Sequence, residues 1–116
     1  SEAQSFVLIQ VQPDALTLYP HDTWTDVQER LRSLVRSAPR SRHRMLALTA
    51  NAIEVVPDKQ GRILIPDRLR TGAGIRDEAQ VVGAIDKIEI WDPERFAQVM
   101  TDTGDDFGDR LAGIFA

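Results

Sequence analysis

The residues with the most chemical content lie in one run, Asp58-Lys59-Gln60-Gly61-Arg62-Ile63-Leu64-Ile65-Pro66-Asp67-Arg68-Leu69-Arg70. A carboxylate, then a glycine, then an arginine four positions after the carboxylate describe a turn that aims a guanidinium. Asp58 can accept hydrogen bonds from the backbone N–H groups of such a turn and fix its shape. Gly61 can take positive φ at no steric cost, as a tight hairpin requires. Arg62 then leaves the turn on a stiff strand, so its planar fork has little entropy left to lose. An arginine held this way suits bidentate contact with guanine or phosphate. Lys59 sits at the tip of the turn, and Arg68 and Arg70 follow just after Pro66. The same spacing equally describes a plain hairpin in which Arg62 pairs with Asp58, and residue types alone leave both readings open.

Other chemistry finds little support. The chain has no cysteine, which excludes disulfide scaffolds, thiolate zinc sites and cysteine nucleophiles. His21 and His43 stand alone, without a second ligand at metal spacing. Asp102, Asp105, Asp106 and Asp109 lack the alternate-residue spacing of a calcium loop. Gly72-Ala73-Gly74 has neither the third glycine nor the preceding strand of a dinucleotide loop. Ser33, Ser37 and Ser41 follow a helix and linker rather than a nucleophile elbow. Trp24 and Trp91 read as core residues rather than as a base-stacking platform. No enzyme activity, metal, cofactor or small-molecule substrate is expected.

At 116 residues and 13.0 kDa the chain fits one compact domain or two very small fused units. Its 42% hydrophobic and 28% charged residues are an ordinary globular balance, which excludes a largely disordered chain. No apolar run approaches the ~20 residues that cross a bilayer. Ser1-Glu2-Ala3-Gln4 lacks a signal-peptide pattern, so a cytoplasmic protein is expected. The net charge of −4 is unevenly spread. Residues 1–28 carry four acids and no Lys or Arg, whereas residues 29–70 carry ten Lys or Arg against four acids. Residues 92–116 are acidic again, with six acids against two arginines. The basic middle fits either an anionic partner or a solvated arginine-rich helix face. Arg40, Arg42 and Arg44 around His43 belong to it, and could meet DNA, solvent or another subunit.

The elements that must position the turn can be read from the apolar pattern. At an offset of 72 residues, Ala15–Trp24 aligns with Lys87–Phe96. Each copy is an alternating strand running into a helix with a large aromatic in its first turns, Trp24 or Phe96, and Asp22 and Asp92 are expected as caps. Upstream, Phe6–Ile9 falls near Glu78–Val82, a strand in each copy. Trp24, Val27, Leu31 and Leu34 recur at helical spacing until Pro39 breaks the helix. A second helix is expected over 41–48, with Met45 and Leu48 turned inward. Residues 53–65 read as a β-hairpin whose return strand is Arg62–Ile65. Pro66 then opens a helix to about Arg70, stopped by Gly72 and Gly74. The last fifteen or so residues read as an acidic, partly flexible tail.

The pattern Asp-x-x-Gly-Arg-Ile-x-Ile-Pro-x-x-Leu-Arg at 58–70 resembles the signature of SpoVT-AbrB domains, which include AbrB regulators and MazE-type antitoxins. The run Val81–Asp92, Leu18-Tyr19-Pro20 with Trp24, and the ending Arg110–Phe115 are similar to MraZ proteins, over nearly the whole chain from Phe6. The resemblance implies an α+β fold, a SpoVT-AbrB-type β pseudobarrel with helices and two pseudo-repeats. The boundaries expected are residues 1–50 for a first, incomplete repeat, 51–100 for a complete second one and 101–116 for the acidic tail. It implies a transcriptional regulator of the division and cell-wall gene cluster, nucleoid-associated, binding direct repeats in double-stranded DNA as a ring-like homo-oligomer. Arg62 would be the principal DNA contact, Lys59 a phosphate contact, Arg68 and Arg70 weaker ones, with Asp58 and Gly61 shaping the turn. The first repeat's own turn would fall before Ser1, so the strands over 6–19 are expected to show open edges covered by another chain or a helix. An antitoxin-like module docking a toxin through the acidic tail, with Phe107 and Phe115, is the other reading.

Overall fold

The computed structural model describes residues 4–101 and 107–115. Five strands form one antiparallel sheet: β1 (Phe6–Gln12), β2 (Ala15–Pro20), β3 (Ile53–Val55), β4 (Gln80–Gly83) and β5 (Ile88–Trp91), in the order β3-β1-β2-β5-β4. The helices are α1 (His21–Ser37), α2 (Arg42–Thr49), α3 (Asp67–Gly72), α4 (Pro93–Met100) and α5 (Phe107–Phe115), with a single 3₁₀ turn at Pro39–Ser41. This is an α+β architecture.

The period-2 alternation of the strands feeds two cores, one on each face of the sheet. Leu8, Leu16, Leu18, Val55 and Ile90 point to the face covered by α3 and the loop after it, through Leu69, Ala73 and Ile75. Val7, Ile9 and Tyr19 point the other way and pack with Trp24 of α1, with Val27, Leu48 and Ala52 alongside. Leu8, Ile9 and Leu16 are the largest side chains sealed from solvent, so β1 and β2 form the shared wall of both cores.

The strand-to-helix passages read at 15–24 and 87–96 meet at the centre of the sheet. Thr17 lies opposite Glu89, and the flanking pairs are Leu16–Ile90 and Leu18–Ile88. The 72-residue offset exchanges those two flanking pairs, which is a local two-fold axis between Thr17 and Glu89. The aromatic contacts obey the same offset: Tyr19 meets Trp24 and Trp91 meets Phe96, each with ring centroids 5.7 Å apart. The outer strands follow with one residue of difference, since Leu8 faces Leu18 while Val81 faces Ile90. An irregularity in β1 between Ile9 and Gln12 absorbs the extra residue.

Several expectations need correction. Residues 62–65 do not form a return strand. β3 pairs with β1 (Phe6–Val55, Val7–Glu54, Leu8–Ile53) as the outermost strand of the sheet, and 62–65 crosses the first core without joining the ladder. Ile63 and Ile65 are half-buried against that core and Leu64 points out, so packing alone satisfies the alternation. The strands over 6–19 are not open either, because β3 covers β1 and β5 covers β2 within the chain. Asp22 lies inside the first turn of α1, whose cap position is Pro20, without a side-chain capping bond. Asp92 does stand at the cap of α4, but its carboxylate is used elsewhere. Residues 107–115 of the expected tail are helical, while Asp102, Asp105 and Asp106 lie outside the described residues. The helix stop at Gly72 and Gly74 is observed, with Gly74 at φ +73°.

Candidate nucleic-acid interface

The turn at 58–62 is closed by its own backbone and by one carboxylate. The Asp58 N–H donates to the Arg62 carbonyl at 2.8 Å, and the Gly61 N–H to the Asp58 carbonyl at 2.9 Å. Asp58 Oδ1 accepts from the N–H groups of Gln60 and Arg62, both at 2.9 Å. Asp58 Oδ2 accepts from Arg62 Nε at 3.0 Å. Gly61 takes φ +80° with open space around it, so the demand there is conformational, not steric. The Arg62 N–H holds the Asp58 carboxyl below its ordinary value, with further help from the Gln60 N–H and the Arg62 side chain against a desolvation penalty. The turn is thus over-determined around the Asp58 carboxyl.

Arg62 forms the pairing that the plain-hairpin reading expects. It pairs with Asp58, yet its side chain is 72% exposed. Only Nε is engaged, and the two terminal nitrogens carry no bond among the described residues. The Asp58 contact therefore acts as a stay that orients the fork without occupying its outer edge. A shallow depression of about 380 Å³ beside it is lined by Val56, Asp58, Arg62, Ile63 and Leu64.

Lys59 is exposed on the turn and Arg68 is exposed on α3; neither has an ion pair among the described residues. Arg70 is placed differently. Its Nη1 donates to the carbonyls of Ile75 and Arg76 at 2.9 and 3.0 Å, and its Nε lies 3.5 Å from Asp67. That guanidinium fastens the end of α3 to the following loop, so Arg70 stands apart from the other three cations.

A second arginine–carboxylate group went unread in the sequence. Asp92, buried at the start of α4, accepts from the Arg76 N–H at 3.2 Å, from Arg76 Nε at 3.3 Å and from Arg76 Nη2 at 3.1 Å. Arg76 Nη2 also reaches Glu94 at 2.7 Å. The Arg76 side chain, first of all, depresses the Asp92 carboxyl below its ordinary range, and the Arg76 guanidinium is raised in turn. Asp92 was visible as a helix cap, but nothing in the sequence pattern linked it to Arg76. Among the described residues no group of His, Asp and Glu side chains could hold a metal ion, and no helix is long and apolar enough to cross a membrane.

Comparison with known proteins gives a consistent result. The family described as "MraZ protein, putative antitoxin-like" matches residues 48–108, a span containing both arginine groups. A "Transcriptional regulator MraZ" of Thermomicrobium roseum is 42% identical over 102 residues, covering 85% of this chain and 72% of that protein. A protein of the same name from Cutibacterium acnes is 32% identical over 110 residues, covering 95% and 78%. Another from Pediococcus pentosaceus is 32% identical over 105 residues, covering 90% and 73%. With the run at 58–70 folded as a rigid arginine-bearing turn and these likenesses extending over most of its length, the chain belongs to the MraZ family.

Proposed function

We propose that this chain is a sequence-specific DNA-binding transcriptional regulator in which Arg62 makes the principal contact. The observation that carries the reading is the state of that side chain: oriented by Asp58, open to solvent, with its terminal nitrogens unspent. The names of the relatives, transcriptional regulators, agree with it. Lys59 adds a phosphate contact at the tip and Arg68 a weaker one on α3, while Arg70 serves the fold more than the ligand. Asp58 and Gly61 keep the turn in shape.

The protein acts as a homo-oligomer, ring-like in the manner the family resemblance implies, and recognises direct repeats near the promoter of the division and cell-wall cluster. It works at the nucleoid. Leu64, Val81 and Ile85 are large apolar residues left at 85%, 65% and fully exposed, which supports contact between copies. The local two-fold at Thr17 and Glu89 supports two SpoVT-AbrB-type units that share a pseudobarrel. An assembly also reconciles an acidic chain with DNA, since only one rim need be basic and several modest contacts multiply.

Fluorescence anisotropy with a duplex carrying the repeats tests the reading. Arg62→Ala should weaken binding by about 10- to 100-fold, while the size of the oligomer stays the same. Unchanged affinity would overturn it.

A further inference from the structure

Two partners suit the Arg62 fork, a phosphate and the edge of a guanine, and an exposed neighbour separates them. Burial alternates along the segment that leaves the turn. Arg62 and Leu64 are exposed, while Ile63 and Ile65 are half-buried against the first core. Arg62 and Leu64 therefore project from the same side of the chain, about 7 Å apart along it. Leu64 is 85% exposed, and Val56, which lines the same shallow depression as Arg62 and Leu64, is 51% exposed. A single exposed leucine is ordinary on a protein surface. Its place beside an oriented guanidinium is what gives this one a use.

Whatever the Arg62 fork grips comes within reach of Leu64. Were that group a phosphate, the leucine would face the charged, hydrated backbone and strip water from it without return. At a base edge in the major groove the leucine has a partner, because the thymine C5-methyl is the apolar group displayed there. The spacing fits, since about 7 Å of chain spans two base-pair rises of about 3.4 Å. The neighbouring Asp58 carboxylate is already engaged by the N–H groups of Gln60 and Arg62 and by Arg62 Nε. Its charge is answered within the turn.

We infer that Leu64 packs on the C5-methyl group of a thymine within two base pairs of a guanine read by Arg62, and so helps to set sequence specificity. The inference rests on the DNA reading proposed above, and it makes the Arg62 partner a base edge rather than a phosphate. Val81 and Ile85 lie on β4 and in the hairpin after it, at the sheet edge opposite β3, and stay available for contact between copies.

Deoxyuridine in place of thymine deletes that methyl and keeps every base-pairing group. The full chain, Leu64→Ala and Arg62→Ala are titrated with the repeat-bearing duplex in its thymine and deoxyuridine forms. The parent should bind the deoxyuridine duplex about three- to five-fold more weakly per repeat engaged, the worth of one buried methyl. Leu64→Ala should bind both duplexes alike, near the parent's affinity for deoxyuridine, with its unfolding midpoint and oligomer size unchanged. A parent that binds both duplexes equally would overturn the inference. So would a Leu64→Ala chain that still prefers thymine, or one of altered oligomer size, which would place Leu64 between copies. Arg62→Ala should weaken binding to both duplexes by about 10- to 100-fold. Undiminished binding by Arg62→Ala would sink the DNA reading and this inference with it, whereas weakened binding there beside a parent blind to the methyl would sink the inference alone.

Discussion

Two arginine–aspartate pairs in this chain share their chemistry and differ in everything around it. Asp92 has a side chain 7% exposed and engages Arg76 through three hydrogen bonds. Asp58 has a side chain 46% exposed and engages the Arg62 side chain through one. The first pair buries its carboxylate, ties the loop after α3 to the start of α4, and recruits Glu94 as a third member. The second holds a turn and leaves most of its guanidinium in water. The Arg76 guanidinium spends Nε and Nη2 on two carboxylates of its own fold and is a clasp, whereas that of Arg62 spends Nε alone and is a mount. Solvent screening makes the exposed pair a poor source of stability, which is consistent with its presence being owed to orientation.

The core sets the scale against which both pairs are judged. Leu16→Ala, at the sealed wall between the two cores, should cost about 2–5 kcal/mol in denaturant unfolding, more than any change at either pair. Arg62→Ala comes next, but in binding only: about 1–3 kcal/mol of DNA affinity is lost with the unfolding midpoint nearly unmoved. Gly61→Ala keeps every charge and forces a side chain into φ +80°, which should cost about 1–2 kcal/mol and weaken DNA binding through the tilt of the turn. Arg76→Ala should show the reverse of Arg62→Ala, a lower thermal midpoint with DNA affinity retained, since it leaves the Asp92 carboxylate buried without its partner. The smallest effect is one of pH. Because the native Asp92 carboxyl is held below its ordinary 3.8, the stability it contributes is complete above that value and is lost as pH falls through the native one. The thermal advantage of the parent chain over Asp92→Asn should therefore stay level from pH 5 to 8 and shrink below about pH 4.

Local signals were legible and distant ones were not. Asp58 and Arg62 are four residues apart, so their turn could be read from side-chain type alone, as could the strand-to-helix passages marked by Trp24 and Phe96. Arg76 and Asp92 are joined only because β4 and β5 fold the chain back between them, and no periodicity records that. The return strand expected at 62–65 failed for a related reason. The alternation of Ile63, Leu64 and Ile65 is present, but packing of the two isoleucines on the first core satisfies it without a ladder, and no periodicity tells the two outcomes apart. Aspartates obscured the helix at the chain's end, where the stripe of Leu111, Ile114 and Phe115 was the better guide.

One titration bears on the main conclusion most directly: binding of repeat-bearing duplex by the parent chain, Arg62→Ala and Arg76→Ala across a series of salt concentrations. The expected result is weaker binding and a salt slope shallower by about one for Arg62→Ala if it meets phosphate, or weaker binding with relaxed sequence preference if it meets guanine, and parent-like behaviour for Arg76→Ala. Arg62→Ala binding the duplex as tightly and as selectively as the parent would contradict the account.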